Sequence, residues 1–125
     1  MSTIHAPATD PGLLLGTWRN TNSSPPLIKD LAITEKAGAV WIRVFGANDL
    51  TPEDWGELAM SGFSESPESA VATAFTARFD SPATSVTLQT YVVKGVMVVV
   101  AMTRFKDGRH SNLFTKEFFH RRLEP

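Results

Sequence analysis

The chain has 125 residues, of which 42% are hydrophobic and 20% are charged, and its formal net charge at pH 7 is -1. These values describe one globular domain and exclude a disordered or collagen-like chain. Because twelve basic residues are balanced by thirteen acidic ones, there is no broad basic field, and we expect neither nucleic acid nor a membrane as a partner.

The sequence contains no cysteine, which removes disulfides, thiolate nucleophiles and thiolate metal sites. Its longest apolar run, Val96 to Met102, is far shorter than the roughly 18 to 20 residues of a membrane-spanning helix. The first twelve residues lack the basic region and apolar stretch of a secretory signal, so we expect a cytoplasmic protein. We interpret residues 1–12 as a loose lead-in and residues 13–125 as a single domain.

Alternating apolar residues and β-branched runs predict eight strands after the lead-in. Turn sequences such as Lys36-Ala37-Gly38, Lys94-Gly95 and Asp107-Gly108 separate neighbouring strands. We expect the strands at residues 13–20, 27–35, 40–45, 55–64, 70–80, 86–93, 96–106 and 112–122.

Two segments allow a helical interpretation. Thr51-Pro52-Glu53-Asp54 combines an N-cap hydroxyl, a proline at the first helical position and early carboxylates, which predicts one short helical turn. Residues 70–80 are rich in alanine, which favours a helix, but their odd-numbered residues alternate as a strand face. We interpret residues 70–80 as a strand, with a helix over Ser66 to Phe79 as the open alternative.

The short connections predict an antiparallel sheet, since parallel pairing needs long crossovers. Eight meandering strands leave two exposed edges unless the sheet closes on itself. We therefore predict an all-β fold, an eight-stranded antiparallel up-and-down β-barrel. The interior of such a barrel has room for side chains or one small ligand.

A set of motifs resembles a known superfamily. Gly16-Thr17-Trp18, at the start of the first strand, is similar to the G-x-W of the calycins, which include lipocalins, fatty-acid-binding proteins and avidins. The chain also contains Val44-Phe45-Gly46-Ala47, Asp54-Trp55-Gly56-Glu57, Thr103-Arg104-Phe105 and Asp107-Gly108. Together these motifs resemble small bacterial lipocalin-like or avidin-like barrels, a family largely without assigned function, over most of residues 13–122.

The resemblance implies an up-and-down barrel that Trp18 plugs at one end, stacked under an arginine from the last strands. Arg104, Arg121 and Arg122 are candidates for this arginine, and we assign the role to Arg104. Cation–π packing of this kind contributes on the order of 0.5–2 kcal/mol. In that family the loop before the fourth strand usually contains two cysteines, where this chain has Asn48 and Glu53, so the resemblance implies that the loop lacks its clamp.

Aromatic and polar side chains share a face on two predicted strands. Trp41, Arg43 and Phe45 alternate with an apolar face in the third strand, and Gln89 and Tyr91 share a face of the sixth. We predict that these five residues bind a small apolar or amphipathic ligand in the barrel mouth, oriented by Arg43 and Tyr91. Periodicity does not say which face is inside, so an outward face with Arg43 over aromatic surface is the alternative.

Neither a catalytic nor a metal cluster stands out. His5, His110 and His120 are too widely spaced for a zinc site on one element, and we predict no metal and no cofactor. Nitrobindin-type barrels also begin with Gly-Thr-Trp, which makes haem at His110 or His120 the weaker alternative. The carboxylates of one connection are more typical of solvated residues on a helical turn than of an acid–base pair. These carboxylates are Asp49, Glu53, Asp54 and Glu57.

Val96 to Met102 is apolar on both strand faces, whereas the outside of a monomeric barrel is mostly polar. We expect a second subunit to cover this surface, in a homodimer or higher homo-oligomer through the last three strands, with the lead-in or a crossing loop as the alternative. The predicted function is a non-enzymatic small-molecule-binding barrel. An isomerase or cyclase with Asp54 or Glu57 as base, and a filled barrel that acts as a scaffold or interaction module, remain open.

Overall fold

The computed structural model describes residues 13–47, 53–69 and 71–122. These ranges contain nine strands and no α-helix. The strands are β1 (Gly16–Asn20), β2 (Ile28–Lys36), β3 (Ala39–Gly46), β4 (Asp54–Ala59), β5 (Ser61–Phe63), β6 (Ala74–Asp80), β7 (Thr84–Val93), β8 (Val96–Phe105) and β9 (Leu113–Arg121). None of the described segments is a helix with the length and hydropathy needed to cross a lipid bilayer.

The strands form one antiparallel sheet in the order β4-β3-β2-β1-β9-β8-β7-β6-β5. The first and last strands pair directly, with Trp18 opposite Arg121 and Asn20 opposite Phe119. The two edge strands of the sheet, β4 and β5, follow each other in the chain with Met60 between them. The sheet therefore curls into a nearly closed up-and-down barrel, as the sequence predicts in outline.

Met60 accounts for nine strands where the sequence predicts eight. The predicted strand over residues 55–64 is divided, because β4 pairs with β3 whereas β5 pairs with β6. At the division, the backbone N–H of Met60 donates to the carbonyl of Val40 at 2.8 Å. The segment from β4 to β5 thus pairs first with β3 and then with β6. This corner brings the two edges of the sheet together. The rings of Trp55 on β4 and Phe79 on β6 meet edge to face, 5.5 Å apart.

Two other predicted segments differ in part from the structure. The segment predicted at residues 70–80 contains a strand, as interpreted, but it is the shorter β6. For the predicted helical turn, residues 51 and 52 lie outside the described residues. Asp54 begins β4 opposite Phe45, so the described end of that segment is strand and not helix. A proline followed by carboxylates is also typical of a turn that leads into a strand, which the sequence pattern alone does not distinguish.

Side chains fill the interior of the barrel. Trp18, Phe75 and Phe119 are at most 2% exposed, and they pack in one cluster with aliphatic residues from β2, β3, β7 and β8. Burial of a large apolar side chain contributes about 1.5–3 kcal/mol. The barrel is therefore held together by a packed core as well as by its hydrogen-bonded ladders.

Candidate functional site

The face of β3 that was predicted to bind a ligand points away from the interior. Val40, Ile42 and Val44 are at most 1% exposed, so Trp41, Arg43 and Phe45 alternate onto the outer surface. The structure therefore shows the outward alternative for this strand. Ligand binding by these three residues stays a prediction, but the site would be an external surface and not the barrel interior.

On that outer surface, Arg43 is engaged by a carboxylate. Its Nε lies 3.2 Å from both carboxylate oxygens of Asp54, and its Nη2 also donates to Asp54. The guanidinium carbon is 5.7 Å from the centre of the Phe45 ring. Lys36 makes a similar arrangement, since its Nζ lies 4.9 Å over the Trp41 ring and pairs with a carboxylate.

Gln89 and Tyr91 also lie on the outer surface, but on a different part of the barrel. They are opposite Val100 and Val98 in the β7–β8 pair, and the inward face of β7 is formed by residues such as Leu88 and Thr90, which are fully buried. Strands β3 and β7 are not neighbours in the sheet. The structure therefore does not bring the five predicted ligand-binding residues together.

A small cavity lies beside the turn between β6 and β7. This cavity is bordered by Trp55, Phe79, Thr84 and Val86 and has a volume of about 30 Å³. This is close to the share of one water molecule in the liquid. A cavity of this size is too small for an organic ligand.

Trp18 is fully buried, and the arginine over its ring is not the one assigned. The guanidinium of Arg121 lies 4.4 Å from the centre of the Trp18 ring, whereas Arg104 is exposed and lies opposite Ser85 on the outer face. The assignment of Arg104 to the plug is therefore wrong. Strand register explains why Arg121 takes this place, because Arg121 is the cross-strand partner of Trp18.

The carboxylates considered for acid–base chemistry are in an unsuitable environment. Asp54 is exposed, and the hydrogen bond from Arg43, together with one from the backbone N–H of Gly56 at 2.9 Å, lowers its pKa. Glu57 is exposed and paired with Lys36, and Glu53 is exposed as well. Asp49 lies outside the described residues. Since a general base that works near neutral pH needs a raised pKa, Asp54 does not fit the enzyme alternative.

The histidines are not arranged as ligands. His110 Nδ1 is 2.5 Å from Asp107 Oδ2, and the His110 ring packs against Phe105 with ring centres 5.1 Å apart. Hydrogen bonds lower the pKa of Asp107 to about 2. The backbone N–H of Arg109 has the largest effect, followed by the side chain and the backbone N–H of His110. His120 is exposed on the outer face, and His5 lies outside the described residues. Within the described ranges, no three His, Asp or Glu side chains converge as metal ligands.

The outer face of the last three strands is the most unusual surface of the described barrel. We define the β7–β9 outer face as the residues that alternate with the buried ones: Ser85, Thr87, Gln89, Tyr91, Val93, Val96, Val98, Val100, Met102, Arg104, Phe114, Lys116, Phe118 and His120. Phe114 is 65% exposed, Met102 52% and Phe118 48%. Val98 is only 5% exposed, because its two cross-strand partners, Tyr91 and Phe118, flank it.

This face contains no carboxylate. Glu117 is the only acidic residue in the three strands, and it points to the inner side opposite Val99. The sequence signal for the face is the apolar run from Val96 to Met102. The run did not reveal the contribution of β9, whose exposed Phe114 and Phe118 become visible only when the register is known.

No protein-family model, curated protein or solved structure matches this chain. The resemblance to calycin barrels therefore rests on its motifs and stays a prediction. The all-β architecture and its up-and-down order are observed directly.

Proposed function

We propose that the protein is a non-enzymatic interaction module, a barrel filled by its own side chains that pairs with a second copy through the β7–β9 outer face. One observation carries the proposal: Met102, Phe114 and Phe118 are about half exposed or more on a face without a carboxylate. Contiguous exposed apolar surface of this kind marks an interaction site more often than an ordinary surface.

The size of the exposed surface indicates a reversible dimer. At roughly 150–250 Å² for an aromatic side chain, the exposed fractions of Phe114 and Phe118, 65% and 48%, leave on the order of 200 Å² in water. Covering these rings in both copies contributes about 10 kcal/mol at 25 cal/mol per Å². Since association costs an estimated 4–15 kcal/mol, the remaining apolar residues, Val93 and Val96 among them, must add to the interface.

A second copy fits this face for geometric reasons. β7 and β8 are both ten-residue strands and pair along their whole length, which gives a regular surface, and two such sheets pack face to face about 10 Å apart. A two-fold dimer brings the same patch from each copy together. Lys116 lies between the two phenylalanines on β9, and its long stem covers apolar surface while its ammonium reaches water at the rim.

The alternatives receive less support from the structure. A ligand in the interior needs space, whereas the core is occupied by large buried side chains such as Trp18, Phe75 and Phe119. An isomerase or cyclase needs a carboxylate with a raised pKa, whereas the pKa of Asp54 is lowered. We therefore favour an interaction module, a filled barrel whose apolar outer face binds a second copy.

Sedimentation equilibrium over a wide range of protein concentration tests the proposal. We expect the wild-type chain to change reversibly from monomer to dimer, and Phe118→Glu to remain monomeric because it places a charge in the apolar face. Leu13→Glu is the matched control, since Leu13 is 67% exposed and lies outside the face, so it should dimerise as the wild type does. Circular dichroism confirms that each variant is folded. A wild-type chain that stays monomeric at the highest concentration overturns the proposal.

A further inference from the structure

A groove lies on the outer surface at one end of the barrel, where β6, β7, β8 and β9 run side by side. Its volume is about 440 Å³. Its lining includes Arg78, Arg104, Ser85, Thr87, Met102 and Phe114. It contains none of the five predicted ligand-binding residues, but it shares Met102, Arg104 and Phe114 with the β7–β9 outer face.

The strand register places two arginines on either side of this groove. Arg104 on β8 is opposite Ser85, and Arg78 on β6 is opposite Thr87, both of them partners on β7. Adjacent strands are about 4.8 Å apart and the two β7 partners are two residues apart along the strand, so the backbones of the two arginines are roughly 12 Å apart. Arginine side chains are long enough for both guanidinium groups to approach one small anion in that interval.

Arg104 is an available cation. It forms no ion pair or side-chain hydrogen bond with any residue in the described ranges. Arg78 Nε is 3.4 Å from Asp80 Oδ2, but both side chains are more than half exposed, and an exposed pair of this kind contributes little. The lining itself contains no carboxylate.

The neutral groups of the lining are also without partners. The hydroxyls of Ser85 and Thr87 make no side-chain hydrogen bond within the described part of the chain. A ligand that offers several acceptor oxygens would satisfy these two hydroxyls.

Met102 and Phe114 add an apolar wall beside these polar groups. They are opposite each other in the β8–β9 pair, and both are more than half exposed. A ligand with an anionic head between the arginines would place its organic body against this wall. Because a planar guanidinium binds phosphate oxygens in a bidentate manner, a dianionic phosphate matches two arginines in charge and in donor geometry.

We propose that the groove between Arg78 and Arg104 binds the phosphate of an alkyl or aryl phosphate monoester, whose organic group packs on Met102 and Phe114. This inference does not require the proposed function, but Met102 and Phe114 belong to both surfaces, so the ligand and a second copy would compete for them. Binding is therefore measured at a protein concentration where the chain is monomeric.

Calorimetric titration with phenyl phosphate, hexyl phosphate, inorganic phosphate and phenol tests the site. We expect both esters to bind more tightly than inorganic phosphate, which lacks the organic group, and more tightly than phenol, which lacks the charge. Amide-resolved NMR shifts should locate phenyl phosphate at Arg104 and Ser85. Comparable affinity for phenol and phenyl phosphate, or for inorganic phosphate and both esters, would overturn the assignment.

Variants of the arginines separate a built site from general electrostatic attraction. We expect Arg104→Gln to weaken phenyl phosphate binding by about tenfold or more, since charge-assisted hydrogen bonds are roughly twice as strong as neutral ones. Arg109→Gln removes the same charge from an exposed turn outside the groove and should change the affinity by less than about twofold. Equal weakening by the two variants contradicts the proposal. Sedimentation of Arg104→Gln, measured separately, shows whether dimerisation is retained and so keeps the two proposals distinct.

Discussion

The guanidinium of Arg121 lies over the ring of Trp18 at 4.4 Å, and the two residues are direct partners where the last strand meets the first. Arg121 Nη2 donates to the carbonyl of Leu13 at 2.7 Å, and Nη1 donates to the carbonyl of Leu15. The indole Nε1 of Trp18 donates to the carbonyl of Leu14 at 2.8 Å. The Trp18–Arg121 pair therefore joins the β1–β9 strand pair to the segment before β1.

Gly16 makes this arrangement possible. Its φ is +125°, and a Cβ at this position would lie 2.8 Å from Nη1 of Arg121. We expect Gly16→Ala to lower the free energy of unfolding by on the order of 1–3 kcal/mol. Gly38→Ala is the control, because Gly38 also has a positive φ but would place its Cβ in open space. Urea unfolding of both variants should show the larger loss for Gly16→Ala, and equal losses would contradict a role for the Arg121 contact.

Arg121 itself should stabilise the barrel, in contrast to Arg104. Replacing Arg121 with glutamine removes the cation–π contact and the two donors to backbone carbonyls, so we expect a loss of about 1–2 kcal/mol. Arg104→Gln should leave stability within about 0.5 kcal/mol of the wild type. Thermal unfolding of the two variants measures the difference. If Arg104→Gln were the more damaging change, the stabilising role of the Arg121–Trp18 contact would be contradicted.

Much of the strand layout was predictable from the sequence. Turn signals such as Lys94-Gly95 mark real hairpins because Lys94 and Gly95 both adopt a positive φ, which few residues tolerate. The corner at Met60 was not predictable, since an apolar residue within an alternating segment gives no sign that hydrogen bonding passes from one neighbour to another. Pairing register decides such a corner, and register is a property of the whole barrel.

Two adjacent phenylalanines test the assignment of inner and outer faces. Phe119 is fully buried and packs in the core, whereas Phe118 is 48% exposed on the β7–β9 outer face. We expect Phe119→Ala to lower the free energy of unfolding by about 3–5 kcal/mol through the cavity it leaves. Phe118→Ala should cost less than about 1 kcal/mol in the monomer. Chemical denaturation at a concentration where the chain is monomeric compares them, and similar losses would mean that the faces are wrongly assigned.

The five predicted ligand-binding residues lie apart in the structure for a related reason. Alternation correctly groups Trp41 with Arg43 and Gln89 with Tyr91. It separates the two faces of a strand, but it does not say which face points to the core. Polar residues beside aromatic ones fit a cavity wall and an outer surface equally well. The charged partner decides the matter for Arg43, because Asp54 lies across the β3–β4 pair on the exposed side, and the sequence does not reveal that partner.

The turn after β8 should lose stability in acid. The pKa of Asp107 is lowered from 3.8 to about 2 by hydrogen bonds from Arg109 and His110. A lowered folded-state pKa stabilises the protein above the unfolded value, so this contribution is lost as the pH falls from about 4 towards 2. We expect Asp107→Asn to have a lower Tm than the wild type near pH 6, and the difference to shrink over that acidic window. A carboxyl titration by NMR with a midpoint near 3.8 would contradict the hydrogen-bonded turn.

Isotope-filtered NMR on a mixture of labelled and unlabelled chains is the decisive test of pairing through the β7–β9 outer face, because it detects only contacts between different copies. At concentrations where the dimer forms, we expect intermolecular contacts among the side chains of Val96, Met102, Phe114 and Phe118, and none to the outer face of β3 around Trp41. Intermolecular contacts that map to β3, or a concentrated sample without any, would contradict a barrel that pairs with its own copy through the last three strands.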